Sequence, residues 1–233
     1  PAKSVSYGGT RSLTSVKAIV IHYTGNDGDT AENNGRYFAS GNTRSAGAHF
    51  FVGQDGAVVQ SIDMARIAWA VGGSKYSGGG GKYYGTYTNA NTVSIELCDN
   101  ATKDPSDKQV KAVVQLIKYI RKQCPNAKKV IRHYDVNGKS CPARMTGDSA
   151  WNTFLSRIGE SAAAPVAQTS GGSYKVRITA DVLNVRKGAG TESAILGGFK
   201  RGTKVTVHYT SGNWAYVSTK RLTGYVSLNY LAL

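Results

Sequence analysis

The chain has 233 residues, 40% of them apolar and 18% charged, which fits a soluble globular protein with one large or two modest cores. No run approaches the roughly 18 apolar residues that cross a bilayer, and three cysteines, an odd number, do not build a disulfide framework. The net charge of +15 points to an anionic partner, and since no nucleic-acid recognition motif stands out, an anionic cell wall fits as well as a nucleic acid.

Taken in order, Pro1 to Gly9 lacks the apolar core of a secretory signal, which is either absent or already removed, and Cys98 and Cys124, read as buried thiols rather than a bridge, lead to the expectation of synthesis in a reducing cytoplasm. Ala18 to Thr24 is an apolar strand pattern that delivers His22 at its polar end. Asp29-Thr30-Ala31-Glu32 reads as a helix N-cap followed by a first-turn glutamate, opening a short helix through Phe38. Ala48 to Val52 and Ala57 to Ile62 are strands joined at Asp55-Gly56, a tight-turn dipeptide, and His49 lies on the first of them. Gly72 to Gly85 is rich in Gly, Ser, Lys and Tyr but has no G-K-[ST] ending, so a phosphate loop is excluded and a mobile flap beside a cleft is expected. Thr92 to Cys98 is a strand with a carboxylate, Glu96, in its middle, costly there unless paired, solvated or used.

Ser106 with Gln109 makes a capping box for a long helix, in which Val110, Val113, Val114, Ile117 and Ile120 recur at helical spacing. After Cys124-Pro125-Asn126 stops it, the apolar run Lys129-Val130-Ile131 leads to His133, Asn137-Gly138 turns the chain, and Cys141 follows eight positions after the histidine. Two histidines at strand ends and one cysteine make a His2Cys set. Three protein ligands with a fourth position open is the catalytic rather than the structural zinc pattern. Ser149 to Ile158 reads as a last helix packing Trp151, Phe154 and Leu155.

Several of these segments carry recognisable words: I-V-I-H-Y-T at 19–24, S-A-G-A-H-F-F-V at 45–52, A-W-A-V-G at 68–72, N-T-V-S-I-E-L-C at 91–98 and R-H-Y-D-V-N-G-K-S-C-P-A-R at 132–144. On these motifs residues 15–158 resemble the type 2 N-acetylmuramoyl-L-alanine amidases, which include phage endolysins, bacterial autolysins and peptidoglycan recognition proteins. The resemblance implies an α/β domain, a mixed central sheet flanked by helices, with Zn2+ held by His22, His133 and Cys141. It also implies Glu96 as general base and Lys139 as the cation facing a developing oxyanion. Tyr23, Trp69 and His49 are candidate substrate contacts, although for His49 a buried, hydrogen-bonded role competes. Some family members have a tyrosine where this chain has Ala48, so any role of that tyrosine is absent here.

From 161 to 172 the composition turns to Ala, Ser, Gly and Gln without charge, as in a flexible linker. Beyond it, six short β-rich runs within 173–233 indicate a small all-β barrel. The words L-N-V-R-K-G-A-G-T at 183–191, K-R-G-T-K-V-T-V at 200–207, N-W-A-Y-V at 213–217 and G-Y-V-S at 224–227 resemble bacterial SH3-type cell-wall-binding domains. Whether Tyr209, Trp214, Tyr216 and Tyr225 are core or binding platform is left open by the sequence. Residues 1–160 carry 20 Lys+Arg against 12 Asp+Glu, and residues 161–233 carry 9 against 2, so the smaller part is denser in positive charge.

The resemblance implies a peptidoglycan hydrolase that cuts between N-acetylmuramic acid and L-alanine, an endolysin made without a signal peptide and acting at the wall. Peptidoglycan, and anionic wall polymers beside it, are the expected partners, with no nucleic acid and no membrane insertion. An autolysin of the same activity is the alternative. A recognition protein without catalysis is disfavoured because Cys141 is present, and a zinc peptidase because no H-E-x-x-H helix occurs.

Overall fold

The computed structural model describes residues 1–160, 173–191, 193–211 and 214–232. The linker expected at 161–172 and the side chain of Tyr209 lie outside the described residues. The chain divides into two units, Pro1–Glu160 and Ser161–Leu233.

In the first unit, in chain order, come strands β1 (Tyr7–Thr10) and β2 (Ala18–Tyr23), helix α1 (Ala31–Arg36), strands β3 (Phe50–Val52), β4 (Val58–Gln60), β5 (Arg66–Ala68) and β6 (Thr92–Leu97). Helix α2 (Asp107–Gln123), strand β7 (Lys129–Arg132) and helices α3 (His133–Asn137) and α4 (Asp148–Arg157) complete it. A five-stranded sheet runs in the order β4-β3-β6-β2-β7. Its β3, β6, β2 and β7 are parallel neighbours, and β4 turns back antiparallel through the Asp55-Gly56 hairpin. The sheet is therefore mixed, as expected, and its parallel centre explains the apolar run of β2: Ala18 to Ile21 are wholly buried, because a parallel strand is covered on both faces.

Helix α2 lays Val110, Val113, Leu116, Ile117 and Ile120 against the domain. Its Ser106 Oγ accepts from Gln109 N at 3.0 Å, a cap worth about 1 kcal/mol. The expected capping box is only half formed. The Gln109 side chain is buried and donates instead to the Val52 and Cys98 carbonyls, at 2.8 and 3.0 Å, tying the helix to the ends of β3 and β6. The first helix is capped by Thr30 rather than Asp29: Thr30 Oγ1 accepts from Asn33 N at 3.1 Å, while Asp29 holds the Asp99 amide across the sheet end.

Two segments differ from the sequence reading. Residues 7–10, where the sequence indicates no element, form β1, which pairs antiparallel with β5 in a two-stranded ribbon. The glycine-rich segment is a strap laid on α3, not a mobile flap. Tyr76 N, Gly81 N and Tyr83 N donate to the carbonyls of Asn137, Tyr134 and Asp135 at 2.7 to 2.9 Å. Gly80 has φ +71°, and a Cβ there would stand 2.7 Å from the Tyr134 carbonyl oxygen, so glycine permits the approach of two backbones.

The second unit is a seven-stranded antiparallel sheet: β8 (Tyr174–Ile178), β9 (Val182–Arg186), β10 (Ile195–Lys200), β11 (Lys204–Ser211), β12 (Trp214–Ser218), β13 (Thr223–Ser227) and β14 (Leu231–Ala232). The order is β10-β9-β13-β12-β11-β8-β14. Alternate residues, among them Val176, Val185, Val205, Val217 and Val226, point into one apolar cluster. Trp214, Tyr216 and Tyr225 fall on the other parity and lie outside that cluster, with the Tyr216 and Tyr225 ring centroids 5.0 Å apart. Among the described residues no helix is long and apolar enough to cross a membrane.

Candidate metal centre and cleft

The site stands at the carboxyl ends of three adjacent parallel strands, where open α/β sheets place their ligands. Register decides this. His22 pairs with Glu96 across β2 and β6, and Ile21 pairs with Arg132 across β2 and β7, so His133 follows beside His22 one step on. The chain leaves β7 directly into α3, whose first residue is His133. Asn137-Gly138, expected as a turn, is the end of that helix, with Gly138 at φ +86° as its left-handed cap. Cys141 returns over α3: its carbonyl accepts from Tyr134 N at 2.8 Å.

Arg132 fixes the entry to α3 from below. It is 2% exposed, and its guanidinium meets both Asp135 oxygens, at 2.8 and 3.1 Å, and the Met145 carbonyl at 2.9 Å. Taking away one partner of such a buried pair costs about 3–5 kcal/mol, so the backbone that presents His133 is held by a strong constraint. The R-H-Y-D word carried this i,i+3 pair in plain view, yet sequence reasoning passed over it.

One ligand atom each from His22, His133 and Cys141 lies within 4.8 Å of the others, and all three residues are buried. His22 Nδ1 is 3.7 Å from Cys141 Sγ and 3.9 Å from Glu96 Oε1. Burial, and then His133, hold the His22 imidazole well below its ordinary value, while burial and Lys139 bring His133 down to about 3. Both rings are thus neutral at pH 7 and offer lone pairs. His22 Nε2, both ring nitrogens of His133 and Glu96 Oε2 are buried without a hydrogen-bond partner among the described residues. Buried polar atoms without partners are rare and costly. One ring nitrogen from each histidine converging with the Cys141 sulfur, on rings that keep unpartnered nitrogens, fits a bound cation that would complete their bonding.

Burial pushes the Glu96 carboxyl up to about 7, against the pull of Lys139. Two cavities open on either side of the centre, and Lys139 lines both. One, of about 420 Å³, is walled by Tyr23, Asn33, Tyr37, Arg44 and Glu96. The other, of about 530 Å³, is walled by Trp69, Tyr76, Asn89, His133 and Asn137. Asn137, first read only as a turn residue, places Lys139 by accepting its amide through Oδ1 at 3.0 Å. Trp69 is 37% exposed, and its ring lies so close over Gly8 that a Cβ there would come within 2.5 Å of it.

Residues 12–144, more than half of the chain, match the family model described as N-acetylmuramoyl-L-alanine amidase. The chain belongs to this family. Residues 181–232 match the bacterial SH3 domain. Among curated amidases, XlyB of Bacillus subtilis strain 168 is 28% identical over 174 residues, covering 70% of this chain and 50% of that protein. CwlA of the same strain is 30% identical over 138 residues, 57% of this chain and 45% of its own length. The chain thus spans about half the length of the curated amidases it matches. Among solved structures, the PlyG catalytic domain aligns with a TM-score of 0.53 at 26% identity, over 71% of this chain and 90% of that one. A mutant endolysin from Bacillus subtilis aligns with a TM-score of 0.52 at 25% identity, over 68% and 94%.

Within this amidase fold, Tyr23 and Trp69 do line the cleft, one in each cavity, whereas His49 lines neither. The His49 ring is 1% exposed; Nδ1 accepts from Ser94 N at 3.0 Å, leaving Nε2 to donate to the Arg66 carbonyl at 3.1 Å. As a candidate substrate contact it is corrected to a structural residue joining β3, β5 and β6. Burial, and then the Arg11 guanidinium, bring it from 6.5 to about 3. The unfolded chain therefore binds the extra proton between those values, and stability should fall as pH drops from about 6.5 towards 3, by up to about 1.4 kcal/mol per pH unit from this residue. Urea midpoints of the wild type and His49→Asn across that range check it: the variant should show the shallower acid slope.

Proposed function

We propose that this chain is a zinc-dependent hydrolase of the amide between N-acetylmuramic acid and L-alanine in peptidoglycan, acting on the wall as a phage or prophage endolysin. The observation that carries the reading is the convergence of His22, His133 and Cys141 beside the carboxyl of Glu96, within a chain of the amidase family. Two neutral imidazoles and one cysteine sulfur are a donor set suited to zinc with one position left open. Zinc, when bound, supplies Lewis acidity at the scissile carbonyl.

The chain's own groups do the rest. Glu96, its carboxyl near neutrality, takes a proton from the attacking water at Oε2 and hands it to the leaving amine. Lys139 lines both cavities and brings an exposed cation to where negative charge develops. The cavity with Trp69 and Tyr76 offers aromatic faces to sugar rings, and the polar one with Arg44 and Asn33 suits the charged stem peptide. Residues 1–160 act as the catalytic unit, and the SH3-type unit, joined through 161–172, holds the enzyme on its substrate and raises local substrate concentration.

Digestion of purified sacculi tests the reading. New L-alanine amino termini are expected; new amino termini inside the stem peptide would instead make the protein a peptidase.

A further inference from the structure

The SH3-type unit carries a groove of about 900 Å³ whose chemistry the amidase reading does not use. Four of its lining residues are cations, Lys175, Lys204, Lys220 and Arg221, and no lining residue is acidic. All four are exposed and make no ion pair among the described residues; the one acid described in this unit, Asp181, is taken by Arg201 at 2.9 Å. Between the cations lie hydroxyls. Lys175, Thr206 and Ser218 stand abreast on three neighbouring strands, about 4.8 Å apart. They are on the outer parity of strands whose Val176, Val205, Val207 and Val217 face the core.

The far wall is a tight turn that fixes the other two cations. Thr219 Oγ1 accepts from the amides of both Arg221 and Leu222, at 3.2 and 3.1 Å, and Thr219 N donates to the Leu222 carbonyl at 2.9 Å. Leu222 is seated over Gly197, where a Cβ would come within 2.8 Å of its Cδ2. Lys220 and Arg221 are thus carried on a turn anchored both by its own bonds and by packing, and little backbone freedom is lost when a ligand meets them.

We propose that this groove binds a linear polyol-phosphate polymer of the cell wall, its phosphodiesters lying along Lys175, Lys204, Lys220 and Arg221. Four exposed cations without an ion pair among the described residues, with the Thr206 hydroxyl beside them, match a chain of evenly spaced single negative charges, each too weakly held alone and additive along the chain. The one aromatic residue in the groove lining, Phe199, is buried in the apolar cluster and offers no open face on which bases could stack, as single-stranded nucleic acid binding asks; the His208 and Tyr216 rings lie further along β11 and β12. The choice of a wall polymer as source of the phosphates rests on the amidase reading.

The test is fluorescence anisotropy of a labelled oligo(glycerol phosphate) with the full chain, between about 50 and 200 mM salt. The wild type should bind with an affinity that falls steeply with salt. The Lys204→Gln/Lys220→Gln double variant should bind more weakly and flatten the slope of log K on log salt by about 0.7 for each cation removed. Lys187→Gln/Lys200→Gln, outside the groove and equal in charge change, should keep the wild-type slope. Equal losses in both double variants would overturn the groove as the site, as would unchanged binding in the first. A single-stranded oligodeoxynucleotide of the same charge binding as tightly as the phosphate polymer would overturn its selectivity for the wall. Cleavage of soluble muropeptides, measured on the same proteins, should be equal in all of them; if the wild type does not cleave, the amidase reading fails while the anisotropy still decides the groove.

Discussion

Replacing Cys141 by serine should empty the metal centre while leaving the fold in place. Cys141 contributes the one sulfur of the three converging ligand atoms and is almost fully buried. A neutral hydroxyl does not stand in for a thiolate, and the loss should exceed the roughly 10–100-fold in affinity that follows from removing an outer partner of a metal ligand. After dialysis, the wild type should retain one zinc per chain by mass spectrometry and the variant almost none. Zinc at about 100 times its Kd should stabilise the wild type by about 2.7 kcal/mol and should not shift the variant's melting curve. Chelation should abolish wild-type activity, and zinc should restore it. Equal zinc contents in the two proteins would remove Cys141 from the ligand set.

Glu96→Gln should separate the base from the ligands. The amide is close to the carboxylate in size and keeps the residue in its place beside His22, but it accepts no proton, and loss of a general base costs about 10²–10⁴-fold. The fall should appear in kcat with KM little changed, because proton transfer is a feature of the transition state alone. Zinc content should stay at the wild-type level. A Glu96→Gln protein that loses its zinc would make Glu96 a ligand, and one that keeps its rate would remove it from the chemistry.

Much of this centre was legible in the sequence because polar residues at the ends of apolar runs are conspicuous. His22, Glu96 and His133 each interrupt such a run, and Cys141 follows the third at turn distance. What the sequence did not carry was register: that His22 stands opposite Glu96, with His133 beside it, depends on how three strands far apart in the chain slide against one another. The glycine-rich strap was misread for a related reason. Glycine reads as freedom when its neighbours are unknown, whereas at Gly80 it serves close approach to the Tyr134 carbonyl. Strand β1 was missed because Gly8-Gly9 has little strand preference of its own, and its pairing with β5 overrides that. His49 shows the converse: a histidine within a family motif attracts a functional reading, but the Ser94 amide and the Arg66 carbonyl, both inside the domain, account for its two ring nitrogens.

The three ligands also have a history in time. His22 and Cys141 are 119 positions apart, and at ribosomal speeds the second follows the first by on the order of ten seconds. During that interval β2 has neither β7 beside it nor a sulfur above it. The three side chains of the proposed metal centre therefore come together only when nearly the whole of residues 1–160 has left the ribosome.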